Sequence, residues 1–292
     1  MLTYVLLAVG FVVLIKGADW LVDGAATLAR VMGISDLVIG LTIVAFGTSL
    51  PELIVSVLAA SRGNTGIAIG NVVGSNIANI LLIVGIAAII NPVRAGQGTA
   101  RKEIPFCLLA AVLVGILPND TFFDHGAVNY IGRIDGLVLM CFFLVFLYYV
   151  FEIIRSDSSQ RVESDAKRES IVRPILKVVA GLVGLILGGR WVVNGAVAVA
   201  QMLHVGEDVI GLTVVAVGTS LPELATSAVA AYRKNSDIAI GNIVGSNIFN
   251  VFFVLSVTGI LHPIPMEMRN NIDIVCMISV TLLLFFTMFR GK

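Results

Sequence analysis

The chain has 292 residues, of which 58% are hydrophobic and 13% charged, and its mean hydropathy is +0.99. About a quarter of the residues of a soluble domain are charged, so this composition excludes an ordinary soluble protein and predicts an integral membrane protein. The net charge of zero gives no basic excess for nucleic acid, and the three cysteines lack the spacing of a zinc or redox motif.

Apolar runs of about 20 residues, the length that crosses roughly 30 Å of hydrocarbon as a helix, predict an all-α fold. There are nine such runs, at 2–29, 37–61, 67–91, 103–118, 134–154, 173–201, 208–232, 238–261 and 271–289. The fourth run is short, and Pro105 and Pro118 lie near its ends, where proline is tolerated or terminates a helix.

Lysine and arginine are concentrated in the connections that follow odd-numbered helices. These connections contain Arg30, Arg94, Arg101, Lys102, Arg155, Arg161, Lys167, Arg168, Arg173, Arg233 and Lys234. The connections after even-numbered helices contain only Arg62, Arg133 and Arg269. By the positive-inside rule, the odd connections are cytoplasmic, which predicts a multi-pass protein of the cell membrane with its N-terminus outside.

One long polar stretch, residues 155–173, mixes both signs of charge with serine and has no apolar periodicity. It is predicted to be a solvated cytoplasmic linker, too short to fold into a regulatory domain. It separates a first transmembrane half, 1–154, from a second half, 174–292.

The two halves contain an internal repeat. A shift of 171 residues aligns Gly17–Ile86 with Gly188–Val257 without a gap. G-L-T-I-V-A-F-G-T-S-L-P-E-L from Gly40 matches G-L-T-V-V-A-V-G-T-S-L-P-E-L from Gly211, within repeat regions at about 37–91 and 208–261. Five predicted crossings separate equivalent points, so the second copy is inverted in the membrane, as in many secondary transporters. Because the first span has a partner in the second half, we expect it to belong to the fold and not to a signal peptide.

Each repeat places a glutamate, Glu52 or Glu223, within a predicted membrane helix. A charge at the bilayer centre costs at least about 2.5–3.5 kcal/mol, and neither motif contains a basic partner. Two carboxylates that meet in a low dielectric repel each other, and a bound cation removes that repulsion. Pro51 and Pro222 cannot donate a backbone hydrogen bond, which frees carbonyl groups one turn earlier, and broken membrane helices use such carbonyls to bind ions.

The next helix of each repeat adds polar side chains. They are Asn71, Ser75, Asn76 and Asn79 in the first repeat and Asn242, Ser246, Asn247 and Asn250 in the second. Residues 71, 75 and 79 recur every four positions and therefore share one helix face. For Asn71, Asn76, Asn242 and Asn247, a structural role in hydrogen-bonding helices together is as well supported as a role in the ion site.

Carboxylates, hydroxyls, amide oxygens and carbonyls are ligands for hard cations such as Ca²⁺, and no thiolate or imidazole site suits zinc or copper. All three histidines fall in predicted connections. Asp19 and Asp23 in the first span lie opposite Arg190 and Asn194 in the sixth, where they either pair across the halves or face a vestibule.

The paired G-T-S-L-P-E motifs, each followed by G-N-x-x-G-S-N, resemble the α-repeats of prokaryotic sodium/calcium exchangers in the cation/Ca²⁺ exchanger superfamily. The resemblance implies that Glu52 and Glu223 bind Ca²⁺ and contribute to Na⁺ sites. It also implies Na⁺ sites completed by hydroxyls and by carbonyls near Ala45 and Ala216, the hydroxyls being those of Thr48, Ser49, Ser75, Thr219, Ser220 and Ser246. Asn79 would line the central site.

Two departures from the family pattern stand out. Some members have aspartate where this chain has Asn250, which puts the ion stoichiometry and a role for K⁺ in question. The family also has ten helices in two five-helix halves, whereas nine spans are visible here. The fifth span has no partner, so a second half that lacks its last helix is one expectation.

The predicted function is secondary antiport of Ca²⁺ against Na⁺ by alternating access, with these ions as substrates, the lipid bilayer as surroundings, and no cofactor or protein partner. Ca²⁺/H⁺ exchange and K⁺-dependent exchange on the same scaffold are the alternatives. A cation channel is a third alternative, although channels usually place oligomeric symmetry around a pore. An enzyme is not expected, because no metalloprotease motif or nucleophile-base set is present.

Overall fold

The computed structural model describes residues 2–92, 101–123, 128–159, 170–203 and 216–290. Almost all of the ordered secondary structure in these ranges is helical. In the first half the helices are α1 (Leu2–Met32), α2 (Asp36–Ile39), α3 (Ala45–Thr48), α4 (Leu50–Ser61), α5 (Thr65–Ala78), α6 (Val84–Ile90), α7 (Glu103–Ile116), α8 (Asp120–Phe123) and α9 (Arg133–Ser159).

In the second half they are α10 (Val172–Met202), α11 (Ala216–Thr219), α12 (Leu221–Tyr232), α13 (Ser236–Phe249), α14 (Ser256–Leu261) and α15 (Asn270–Arg290). Three π-helical segments, Gly40–Val44, Asn79–Ile83 and Asn250–Leu255, continue α2, α5 and α13 without a break in the chain. The strands β1 (Tyr130–Ile131) and β2 (Ile264–Pro265) pair antiparallel and join the two halves.

The all-helical membrane architecture predicted from the apolar runs is confirmed. Six single helices of the described chain are long and apolar enough to cross a membrane, and the bent pair Asp36–Thr48 and Leu50–Ser61 adds a seventh candidate. The predicted fourth span appears as the shorter apolar helix α7. The predicted span at 208–232 begins outside the described residues, so the count of nine spans stays a prediction. Most of the predicted linker, 160–169, also lies outside them.

The repeat is visible in the backbone. The helices that contain the G-T-S-L-P-E motifs, here called the motif helices, are both interrupted at the serine two residues before the proline. Ser49 and Ser220 have the same φ of −85°. The following helices both end in a left-handed turn, at Gly63 with φ of 77° and at Lys234 with φ of 59°. Lys234 is the equivalent of Gly63 in the repeat, and it has the left-handed backbone conformation that glycine usually occupies.

The long helices α1 and α10 pack along one another at small residues. A Cβ atom added to Gly188 would lie 2.6 Å from the backbone nitrogen of Leu14, and one added to Gly181 would lie 2.6 Å from that of Leu21. Only glycine allows two backbones to approach this closely. The two helices therefore form one tightly packed pair.

The most buried span of the bundle is Ser236–Leu261, which begins with α13. In its apolar stretch, 94% of the residues are buried inside the protein. Helix α13 packs against the segment Gly40–Val44, and Gly241 meets the carbonyl of Leu37 at the contact. The two repeats therefore interlock at the centre, where the polar motif residues lie.

Candidate ion-binding site

Glu52 and Glu223 lie in the first turns of α4 and α12, immediately after the helix breaks at Ser49 and Ser220. Proline in the second position of each helix has no amide hydrogen, so the preceding turn opens and a new helix begins. Both glutamates are buried, with exposed fractions of 0% and 1%. The start of a helix is a favourable place for a negative charge, because its amide groups are free.

Ser49, which directly precedes the helix of Glu52, donates to Glu223 Oε1 at 3.2 Å, so the structure brings the motifs of both repeats into one site. Each motif threonine reaches across to the other repeat. Thr48 Oγ1 lies 3.1 Å from Asn242 Oδ1, and Thr219 Oγ1 lies 3.3 Å from Asn71 Oδ1. These equivalent bonds connect the repeats on both sides of the glutamates.

Asn71 and Asn242 connect the two helices within each repeat. Asn71 donates to the backbone carbonyl of Glu52 at 3.2 Å and to Ser56 Oγ at 3.0 Å. Asn242 makes the same two bonds, to the Glu223 carbonyl at 3.3 Å and to Ser227 Oγ at 2.9 Å. Both amides are fully used, so the structural role is the one that the geometry shows for them.

Four further asparagines form a reciprocal network at the centre. Asn76 and Asn247 each donate to the other's backbone carbonyl, at 3.2 and 3.4 Å. Asn79 donates to Asn247 Oδ1 at 2.9 Å, and Asn250 donates to Asn76 Oδ1 at 3.0 Å. Among the described residues, the pairing leaves the amide oxygens of Asn79 and Asn250 without a hydrogen-bond donor.

The serines break this symmetry. Ser49 donates to Glu223 Oε1 at 3.2 Å, whereas its equivalent Ser220 donates to Ser75 Oγ at 3.2 Å. Glu223 therefore has a donor from the other repeat on one carboxylate oxygen. Neither oxygen of Glu52 has a donor in full hydrogen-bond geometry within the described residues, although the Thr219 hydroxyl lies near this carboxyl.

Buried oxygens without a partner are concentrated at this site. In the described ranges they belong to six residues, Glu52, Glu223, Asn79, Asn250, Ser246 and Thr226, together with Glu103 elsewhere. The first five of these were predicted as site residues from the sequence. An unpartnered buried oxygen is unfavourable by about 1–3 kcal/mol, and more when it is charged, so such a cluster fits an ion that supplies the missing interactions.

The carbonyl of Ala45, predicted to help a Na⁺ site, already accepts two hydrogen bonds. Its partners are the amide of Ser49 at 3.0 Å and the hydroxyl of Thr48 at 3.3 Å. Thr48 has a single hydroxyl hydrogen, and its shorter contact is with Asn242 Oδ1, so this hydroxyl engages the Ala45 carbonyl only weakly. Ala216, the equivalent residue, begins α11.

Three buried hydroxyls at the site were missed by the sequence reasoning. Ser56 and Ser227 are equivalent residues one turn after the glutamates, and the repeat offset could have found them. Thr226 is buried and has Val55 as its equivalent, so the repeat gives no signal for it.

The candidate ligands of the site are oxygen atoms, which are hard ligands. No group of three or more His, Cys, Asp or Glu side chains that could hold a metal ion occurs in the described ranges. Two carboxylates, amide oxygens and hydroxyls remain, which suits Ca²⁺ and Na⁺ better than softer metals.

Comparison with known proteins adds three findings. The family described as "Sodium/calcium exchanger protein" matches residues 2–152 and 174–291. The sodium/calcium exchanger MaX1 of Methanosarcina acetivorans is 33% identical, with 99% of this chain and 91% of the relative covered. The inner membrane protein YrbG of Escherichia coli is 34% identical, with 96% and 87% covered.

A solved structure gives the same result at the level of the fold. The sodium-calcium exchanger NCX_Mj, soaked with 10 mM Na⁺ and zero Ca²⁺, superposes with a TM-score of 0.86 at 33% sequence identity. The match covers 100% of this chain and 92% of that chain. The motifs, the fold and both comparisons agree, and the chain belongs to the sodium/calcium exchanger protein family.

Proposed function

We propose that the protein is a secondary antiporter that exchanges Ca²⁺ for Na⁺ across the membrane. The observation that carries the proposal is the cluster of buried oxygens around Glu52 and Glu223 that lack a partner in the described part of the chain. The glutamates and asparagines of the cluster are equivalent residues of the two repeats, and relatives that cover nearly the whole chain are named sodium/calcium exchangers.

Ca²⁺ and Na⁺ compete for overlapping oxygens in this proposal. One Ca²⁺ neutralises the two glutamates, which lie together in a site of low dielectric. Na⁺ ions use the same carboxylates but spread over separate hydroxyl positions, which avoids an excess of positive charge at one point. The proposed ligands are Glu52, Glu223, Thr48, Ser49, Thr219, Ser220, Ser75, Ser246, Asn79 and Asn250, with the carbonyls of Ala45 and Ala216.

Alternating access follows from the packing of the long helices. Helix α1 packs against the motif helix α12, whereas α10, its equivalent, makes no comparable contact with α4 in the described chain. In the part of the chain that the structure describes, one motif helix is therefore covered by a long helix and the equivalent motif helix is not. Movement of the tightly packed α1–α10 pair past the motif helices exchanges the two arrangements.

The proposal is tested by ion flux into liposomes that contain the purified protein. Liposomes are loaded with Na⁺ and diluted into Na⁺-free buffer that contains ⁴⁵Ca²⁺. We expect uptake that requires the outward Na⁺ gradient. We expect Glu52→Gln and Glu223→Gln each to lower the uptake at least about 100-fold, because only one carboxylate then remains to balance the two positive charges of Ca²⁺.

Glu267→Gln is the matched control, since this glutamate lies in a connection and its side chain is 66% exposed. Its uptake should equal that of the unmodified protein. Full activity of Glu52→Gln would exclude the proposed site. Uptake without a Na⁺ gradient would exclude Na⁺ coupling.

The same liposomes separate the alternatives. Uptake driven by a pH gradient in the absence of Na⁺ indicates Ca²⁺/H⁺ exchange, and an absolute requirement for K⁺ beside Na⁺ indicates K⁺-dependent exchange. Downhill Ca²⁺ flux without any counter-ion indicates a channel. A cell membrane location with the N-terminus outside, and the division into halves 1–154 and 174–292 around a cytoplasmic linker, complete the proposal.

A further inference from the structure

Four charged side chains form a group between the long helices and the second motif helix. Arg233, which follows α12, lies with Nε 3.0 Å from Asp19 Oδ1 and Nη1 3.3 Å from Asp23 Oδ1. The Nη2 atom of Arg233 also contacts Asp19, and Lys177 of α10 contacts the second oxygen of Asp23. We call Asp19, Asp23, Lys177 and Arg233 the charge latch.

The latch corrects the partners expected from the sequence. Asp19 and Asp23 do pair across the two halves, but with Arg233 and Lys177 and not with Arg190 or Asn194. It joins α1 and α10, which pack as one pair, to the end of α12, the helix that carries Glu223 in its first turn.

The repeat does not reproduce the latch on the opposite face. The shift of 171 residues makes Arg190 the equivalent of Asp19, Asn194 that of Asp23, and Arg62 that of Arg233. Leu6 stands where the second half has Lys177. Neither Arg62 nor Arg190 makes an ion pair within the described chain.

The asymmetry in helix packing and the asymmetry in charge both favour closure of the same face. The face that carries the latch is the one where α1 packs on α12, and the equivalent helices α10 and α4 are not packed together in the described residues. If the pair moved so that α10 covered α4, Arg62 would approach Arg190 and Asn194. Two like charges would then replace the attractive group, which opposes that closure.

We propose that the charge latch holds one of the two access states and biases the resting protein toward it. The latch keeps closed the face at which α1 meets α12, which is the cytoplasmic face if the N-terminus is outside. Within the described residues, its side chains make no hydrogen bond or ion pair to the proposed ion ligands, so they act by positioning the long helices and not by binding the transported ion.

The expected size of the bias is moderate. The side chains of Arg233, Asp19 and Asp23 are 35–36% exposed, so each pair is partly screened by solvent. The contacts are linked through one guanidinium group, which makes the group stronger than an isolated surface pair. We expect loss of the latch to change the ratio of the two states about three- to tenfold.

Distances between spin labels test the latch without any transport measurement, so its failure is distinct from failure of the proposed function. One label pair, on Thr27→Cys and Tyr232→Cys, spans the latched face. The equivalent pair, on Ala198→Cys and Ser61→Cys, spans the opposite face. Both are made in a background that lacks the native cysteines Cys107, Cys141 and Cys276, and are measured by double electron-electron resonance in liposomes.

In the unmodified protein we expect a short distance between 27 and 232 and a long one between 61 and 198. Arg233→Ala should increase the minor population, with a long 27–232 distance and a short 61–198 distance. The exchange Asp19→Arg with Arg233→Asp should restore the original distribution, which loss of packing alone would not do.

The opposite experiment gives the second face a latch of its own. Arg190→Asp with Asn194→Asp offers Arg62 two carboxylates, and should shift both distance distributions toward the other state. If Arg233→Ala does not fold, this double variant still tests the proposal. Unchanged distributions in it, or in a folded Arg233→Ala, would overturn the proposal.

Discussion

At the scale of single residues, the site is defined by oxygens that the protein itself does not satisfy. Asn76 and Asn247 use their amides to join the repeats, and in doing so they take the amide hydrogens of Asn79 and Asn250. The oxygens of these last two residues are buried and have no hydrogen-bond partner in the described ranges, as is also true of both oxygens of Glu52 and one of Glu223. The same residue type therefore serves as a connector at one position and as a candidate ligand three residues later.

Substitution of Asn250 tests how a charge at this position affects transport. In Asn250→Asp, a protonated aspartate can still donate to Asn76 Oδ1, and it resembles the amide in shape. When it ionises, it loses that donor and adds a third negative charge to the site. We expect this variant to match the unmodified protein at low pH and to diverge from it as the pH rises.

The measurement is Na⁺-driven ⁴⁵Ca²⁺ uptake between about pH 5.5 and 9, expressed as the ratio of variant to unmodified protein. Asn79→Asp at the equivalent position is the matched comparison. A ratio that stays constant over the whole range would show that residue 250 does not contact the ion site electrostatically.

At the scale of helices, the interruption before each proline and the glycine contacts of the long pair have different physical origins. The break at Ser49 is local, because Pro51 lacks the amide hydrogen that would continue the helix. The close approach of α1 and α10 depends on two distant segments that both have glycine at the contact.

The glycine contact makes a prediction about stability. In Gly188→Ala the new Cβ would lie 2.6 Å from the backbone of Leu14, so the helices must separate. We expect the melting temperature to fall, with a cost of about 1–3 kcal/mol, as is usual for overpacking. Melting is followed by size-exclusion chromatography after heating in detergent.

Gly189→Ala is the control on the neighbouring position. Its Cβ would lie 3.9 Å from a side-chain carbon of Leu14, an ordinary contact. It should leave the melting temperature unchanged or raise it slightly, because alanine favours the helix over glycine. Equal destabilisation by both variants would contradict the packing described for the long pair.

At the scale of the whole molecule, the inverted repeat predicts that equivalent positions lie on opposite sides of the membrane. Ser61 and Tyr232 are equivalent, and both are exposed at the ends of motif helices. In a cysteine-free background, an impermeant maleimide should label Ser61→Cys in intact cells. Tyr232→Cys should be labelled only after the membrane is opened.

Inverted membrane vesicles should give the reverse pattern, which makes each variant a control for the other. Labelling of both positions from one side would contradict the inverted repeat. Labelling of Tyr232→Cys alone in intact cells would keep the repeat but reverse the predicted orientation.

The sequence by itself determined the membrane class, the repeat and the principal candidate ligands. Hydropathy, the proline after each motif serine and the offset between Glu52 and Glu223 are properties of short segments, and short segments retain them in any fold. Five of the residues with unpartnered buried oxygens at the site were identified in this way.

Only the tertiary structure decided which polar groups satisfy each other. Asn71 and Asn79 share one helix face and one residue type, yet their neighbours come from different helices. The amide of Asn71 is therefore fully hydrogen-bonded, whereas the amide oxygen of Asn79 has no partner within the described residues. The partners of Asp19 and Asp23 were also beyond the sequence, since long-range pairing depends on how α1 rests against α12. That placement brings together side chains more than 200 residues apart in the chain, which local sequence patterns do not specify.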